Sequence, residues 1–126
     1  MKQSIINAAN VIFGANEKDI FYPTRKRFSV KIRHMSFYYL RTELNWTFER
    51  IGILFKLSHA TVLSGVKDFK NKLDVYEEER TEYEQFKKLM NSYRPLEITI
   101  IEDFLERNNE FLSDDVKVFL EERISV

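Results

Sequence analysis

Thr47-Phe48-Glu49-Arg50-Ile51-Gly52-Ile53-Leu54-Phe55-Lys56-Leu57-Ser58-His59-Ala60-Thr61-Val62 holds two helix starts in close succession. Thr47 and Ser58 are both good N-caps, because a short hydroxyl side chain accepts from a first-turn amide. After Thr47, the positions of Ile51, Leu54 and Phe55 predict a short helix over about 48–56. After Ser58, Val62, Val66, Phe69 and Leu73 step by 4, 3 and 4 residues, an inner stripe for a helix over about 58–73. About three residues join the two, with apolar Leu57 in the turn, which is a helix-turn-helix pattern.

Upstream, Ile5, Ile6, Ala9, Ile12 and Phe13 recur at helical spacing over 3–14, and Gly14 is the expected stop. Asn16 is expected to cap a short turn with Glu17 and Asp19 at its positive end, and Ile20 and Phe21 to pack inward. Pro23 ends that element. Residues 24–28, Thr-Arg-Lys-Arg-Phe, read as a basic loop, and Ser29 as the cap of a helix over about 29–44. The apolar face of that helix is Ile32, Met35, Ser36, Tyr39 and Leu40, with Lys31, Arg33, His34 and Arg41 on the other.

Downstream, residues 76–93 read as a helix with Tyr76, Tyr83, Phe86, Met90 and Tyr93 along one side. Arg94-Pro95 breaks it, and helices over about 97–108 and 114–124 follow, the last capped by Ser113. The β-branched Ile98, Ile100 and Ile101 leave a short strand there as the alternative.

The composition narrows the class. A chain of 126 residues makes one domain, or one domain with an appendage, and can bury a core without staples. Three Gly and two Pro are too few turn-formers for many short strands, so the chain is expected to be all-α. With no Cys, disulfides and thiolate metal sites are excluded. No run reaches about 18 apolar residues, so no membrane helix is expected. Asn7 and Asn10 interrupt the apolar N-terminus, so no secretory leader is expected and a cytoplasmic location is.

A formal net charge of zero hides a split. Residues 18–73 hold 12 Lys/Arg and 4 Asp/Glu, a net of +8, whereas residues 74–126 hold 7 and 15, a net of −8. A basic first half suits a polyanion partner. Catalysis has little to work with: two histidines, no Cys, no glycine-rich phosphate loop and no nucleophile motif, so no enzyme, cofactor or small-molecule substrate is expected.

In a helix-turn-helix, the N-terminal residues of the second helix reach base edges in the major groove. Here these are Ser58, His59, Ala60 and Thr61, with Ser64 and Lys67 further along the outward side. A His can donate to or accept from a base edge, an Ala methyl can meet a thymine methyl, and a Thr hydroxyl can hold a phosphate. The bland alternative makes Ser58 and Thr61 only a cap and His59 a surface residue.

Ile51-Gly52, Phe55 and Ser58-His59-Ala60-Thr61-Val62-Leu63 resemble the C-terminal DNA-binding domain of the bacterial replication initiator DnaA, which reads roughly I-G-x-x-F and then D-H-T-T-V-L. Thr24-Arg25-Lys26-Arg27-Phe28-Ser29-Val30-Lys31-Ile32-Arg33-His34 stands where that family has its R-R-S-R-S-V-A-R-P-R-Q-like stretch. Tyr39 to Asn45 is similar to the family's long-helix ending, and the likeness covers roughly residues 5–90.

The resemblance implies a DnaA C-terminal, Trp-repressor-like helix-turn-helix domain over 1–94; the acidic extension over 95–126, which the resemblance does not explain, is expected to form a helical hairpin packing on it. It implies double-stranded DNA as partner. Arg25 takes the place of the minor-groove arginine, flanked by Lys26 and Arg27. Arg33 and His34 take places at the major-groove edge, beside Lys31. His59 takes that of the base-contacting histidine and Thr61 that of a phosphate contact.

Ser58 stands where the family has Asp, Ala60 where it has Thr, Lys26 at the middle of the basic loop and Ile32 at a common Pro, and the turn is about one residue shorter. The family's recognition sequence is therefore not assumed for this chain. No nucleotide-binding domain precedes the motif, so the expectation is a stand-alone regulator of replication or transcription, of phage or mobile-element type. The second reading is a protein-interaction module in which the acidic half binds a second copy, making a homodimer, or a replication protein.

Overall fold

The computed structural model describes residues 1–93 together with Val118 and Glu121, both helical. The described part of the chain is built from six helices and holds no strand. The expected break at Arg94-Pro95, the helices over 97–108 and 114–124 as units, the Ser113 cap and the packing of the extension lie outside the described residues.

Local signals set most of the boundaries. Helix α1 (Lys2–Phe13) ends at Gly14, whose φ of 69° lets its N–H return to the Asn10 carbonyl at 2.9 Å. Helix α2 (Glu17–Phe21) opens with a capping box: the Asp19 N–H donates to Asn16 Oδ1 at 3.2 Å, and the Asn16 N–H to Asp19 Oδ2 at 2.9 Å.

Helix α3 (Arg27–Thr42) starts two residues before the expected Ser29. Val30 N–H already donates to the Lys26 carbonyl at 3.0 Å, and Phe28 packs edge-on against Phe13 with ring centroids 6.2 Å apart. Those contacts outweigh the cap preference of Ser29. Its side chain is instead fully buried, with no hydrogen-bond partner for Oγ. The basic loop is correspondingly shorter, and Arg27 and Phe28 belong to the first turn of α3.

Helices α4 (Phe48–Phe55) and α5 (His59–Val75) form the helix-turn-helix. Both expected caps are present: Thr47 Oγ1 accepts from Arg50 N–H at 3.1 Å, and Ser58 Oγ from Thr61 N–H at 3.2 Å. The turn is tight. Lys56 adopts a left-handed φ of 58°, and Leu57 N–H donates to the Gly52 carbonyl at 2.8 Å. The Cβ that Gly52 lacks would fall 2.5 Å from the Leu57 carbonyl oxygen. Only glycine lets the turn fold back this closely.

Helix α6 (Glu77–Tyr93) follows after Tyr76. Tyr83, Phe86 and Met90 are buried as expected, but Tyr76 is exposed. With φ −108° and ψ 119° it ends α5 in extended conformation and is not part of the α6 face.

α3 is the centre of the packing. It lies along α5 and against α2 and α4, while α1 and α5 pack on α6. Its fully buried Ile32, Met35, Phe37, Tyr39 and Leu40 meet the inner residues of the other helices. Phe55 stacks on Phe21 at 4.7 Å and takes Phe37 edge-on at 4.8 Å, which ties α2, α3 and α4 together. Tyr38, Phe69 and Tyr83 form a second aromatic group joining α3, α5 and α6.

Candidate nucleic-acid interface

The first turn of α5, the α2–α3 loop and the middle of α3 border one cleft of about 520 Å³. Arg25, Arg33, His34 and Thr61 line it. These residues come from three elements and meet only because α3 supports both the loop and α5.

The recognition turn is open to solvent. Ser58, His59, Ala60 and Thr61 are exposed, as are Ser64 and Lys67 on later turns. Besides capping, Ser58 Oγ lies 2.9 Å from Thr61 Oγ1. The first-turn amides of a helix have no partner within it, and the helix dipole adds to their pull on an anion.

The cations divide into two sets. Lys31 lies on the side of α3 that α6 covers: its Nζ is 2.7 Å from Glu82 Oε1 and 3.6 Å from Glu79 Oε1. Burial lowers its pKa, but the hydrogen bond to Glu82 and the charges of Glu82, Glu79 and Glu78 outweigh that, and the net shift is upward. Lys2 pairs with Glu17, Lys72 with Asp68 and Lys87 with Glu43. Arg25, Lys26, Arg27, Lys56, Lys67 and Lys70 enter no ion pair among the described residues and are all exposed. Sequence reasoning named four of these six. Lys70 is one helical turn beyond Lys67 and was legible from that spacing, whereas the exposure of Lys56 depends on the left-handed turn.

Arg33 and His34 are half-buried at the cleft wall. The Arg33 guanidinium donates to the Tyr22 carbonyl through Nη1 at 3.1 Å and to the Thr24 carbonyl through Nη2. Burial lowers its pKa, yet an arginine remains charged at neutral pH. His34 Nδ1 is 3.3 Å from Asp68 Oδ2 on α5, and the His34 ring packs where Gly65 leaves room. Burial lowers the His34 pKa, partly opposed by Asp68. Asp68 escaped sequence reasoning because its partner is 34 residues away.

Among the described residues, four helices around a capped helix-turn-helix, with an exposed recognition turn and free cations beside it, define a helix-turn-helix protein. Residues 3–68, just over half of the 126, match the family described as the bacterial DnaA protein helix-turn-helix, and the chain belongs to that family. No curated protein and no solved structure matches the chain. The family's helix-turn-helix is a DNA-binding, non-catalytic domain. Among the described residues no cluster of His, Asp or Glu could hold a metal ion, and no helix is long and apolar enough to cross a membrane.

Proposed function

We propose that the chain is a sequence-preferring binder of double-stranded DNA that regulates replication or transcription at sites of its own. The observation that carries this reading is the shared cleft: the loop bearing Arg25 and the exposed N-terminal turn of α5 stand on either side of it. A loop and a helix start on opposite sides of one cleft suit one element in each of two adjacent grooves.

In this reading α5 enters the major groove. His59 and Ala60 meet base edges, and Thr61, Ser64 and Lys67 meet phosphates. Arg25 enters the minor groove, where a narrow A/T tract concentrates negative potential. Lys26 and Arg27 hold the flanking backbone. Lys31 is left out, because its charge is already matched by Glu82 and Glu79. Ser58 in place of an acid and Ala60 in place of a hydroxyl change the groups offered to the bases, so the preferred sequence differs from that of the initiator.

The test is selection of duplexes from a random pool at about 150 mM salt, with Arg25→Ala/His59→Ala as control. A common motif is expected from the wild type and not from the control. Five to seven phosphate contacts give a log–log salt slope of roughly −5 to −6. A complex indifferent to salt, or no enrichment, rejects the reading.

A further inference from the structure

We infer that Arg33 is a positioning residue: by tying down the α2–α3 loop it sets the reach of Arg25 into the minor groove, and it does not itself touch DNA. This rests on the DNA-binding reading above.

The geometry is that of a tether. Both Nη atoms of Arg33 donate to main-chain carbonyls, of Tyr22 and Thr24, on either side of Pro23. Proline has no N–H, so the loop cannot close a hydrogen bond of its own at that residue. Among the described residues the other hydrogen bond within the loop is Lys26 N–H to Thr24 Oγ1, at 3.3 Å. Arg33 thus supplies two of the three hydrogen bonds that hold residues 22–25 in shape among the described residues. These bonds use two of the five guanidinium N–H groups, and swinging the guanidinium out toward a base or phosphate would release both carbonyls.

Arginine suits this role. Its planar fork presents fixed donors that span two acceptors, whereas a lysine ammonium is a point charge. The acceptors are neutral carbonyls, so the positive charge stays at the cleft wall. The next residue on α3 completes the arrangement. His34 contacts Asp68 on α5, and Gly65 lets α5 approach it closely. Consecutive residues of one rigid helix therefore hold the loop and the recognition helix, which fixes the spacing between them.

The experiment compares Arg33→Met, Arg33→Lys, Arg25→Ala and the Arg33→Met/Arg25→Ala double variant with the wild type. On the free protein, ¹⁵N relaxation should show order parameters for residues 24–26 falling from about 0.85 to below about 0.6 in Arg33→Met, with α6 unchanged. On DNA, the probes are a duplex selected by the wild type and the same duplex with its A·T flank replaced by G·C. The wild type should prefer the A·T flank by about tenfold. Arg33→Met should lose that preference as Arg25→Ala does, and the double variant should bind no worse than Arg25→Ala alone. Arg33→Lys keeps the charge but not the fork, so it should lose the preference too; it also decides the matter if Arg33→Met does not fold. A rigid loop with the flank preference intact and weaker binding to both duplexes would overturn the inference, because Arg33 would then be a direct contact. A chain that binds no duplex rejects the DNA-binding reading and the reach assigned to Arg25 with it, while the order parameters still show whether Arg33 holds the loop.

Discussion

The Cβ that Gly65 lacks would lie 2.8 Å from Cδ2 of His34 and 2.9 Å from Cδ2 of Phe37. This close approach lets α5 lie along α3 with His34 against Asp68. Phe37 is buried and His34 is held by its carboxylate partner, so neither ring can easily give way. Gly65→Ala should therefore destabilise the fold by about 2 kcal/mol despite its better helix propensity. Urea unfolding measures this, and a stabilised variant would contradict the packing.

The turn between α4 and α5 makes a stricter demand. A methyl group at Gly52 would meet a main-chain oxygen, that of Leu57, at 2.5 Å. The obstacle is backbone, so relief requires moving the turn. Gly52→Ala should cost about 2–3 kcal/mol. It should also weaken DNA binding beyond what its stability loss explains, because the turn sets the angle of α5. Binding measured well below the melting temperature separates the two effects.

Lys31 and Lys26 are both lysines of the basic half, but only one has acidic partners. Lys31→Met should cost about 1 kcal/mol of stability through the partly buried pair with Glu82, while leaving the salt slope of DNA binding unchanged. Lys26→Met should leave stability nearly unaltered and reduce the slope by about 1. The reverse pattern would exchange their roles.

Stability should fall in mild acid because of His34. Burial, with Lys72 and Arg33 nearby, holds its pKa below the ordinary 6.5, and Asp68 opposes this only in part. The unfolded chain therefore takes up the proton first as pH falls. The contribution is complete above about pH 6.5 and is lost as pH drops through the folded-state value. Asp68 adds to the effect only in stronger acid: burial raises its pKa, but Lys72 and His34 outweigh that and hold it below 3.8. The melting temperature should be lower at about pH 5.5 than at about pH 7.5, and His34→Gln should show a smaller difference. An equal response in both proteins would assign the effect elsewhere.

Much of this architecture was legible in the chain because its signals are local. Asn16, Thr47 and Ser58 cap the helices that follow them, and Gly14 ends the first, since each acts within one turn. The α3 face of Ile32, Met35, Ser36, Tyr39 and Leu40 follows from helical periodicity and is wholly buried. Ser29 misled for the complementary reason: its cap preference is small beside the contacts of Phe28 with Phe13 and the burial of α3. Tyr76 misled because periodicity does not show that α6 begins only at Glu77.

The sequence by itself determined the helical class, the helix-turn-helix and its recognition turn, because caps, apolar spacing and turn residues act over a few positions. The tertiary structure alone decided which basic residues remain free for a partner. Lys31 finds Glu82 across 51 residues, Arg33 turns onto the carbonyls of Tyr22 and Thr24, and His34 meets Asp68, whereas Arg25, Lys26 and Arg27 stay exposed. A charge's availability depends on what packing brings within a few ångströms of it, and for these residues that neighbour is set by how α3 docks on α2, α5 and α6.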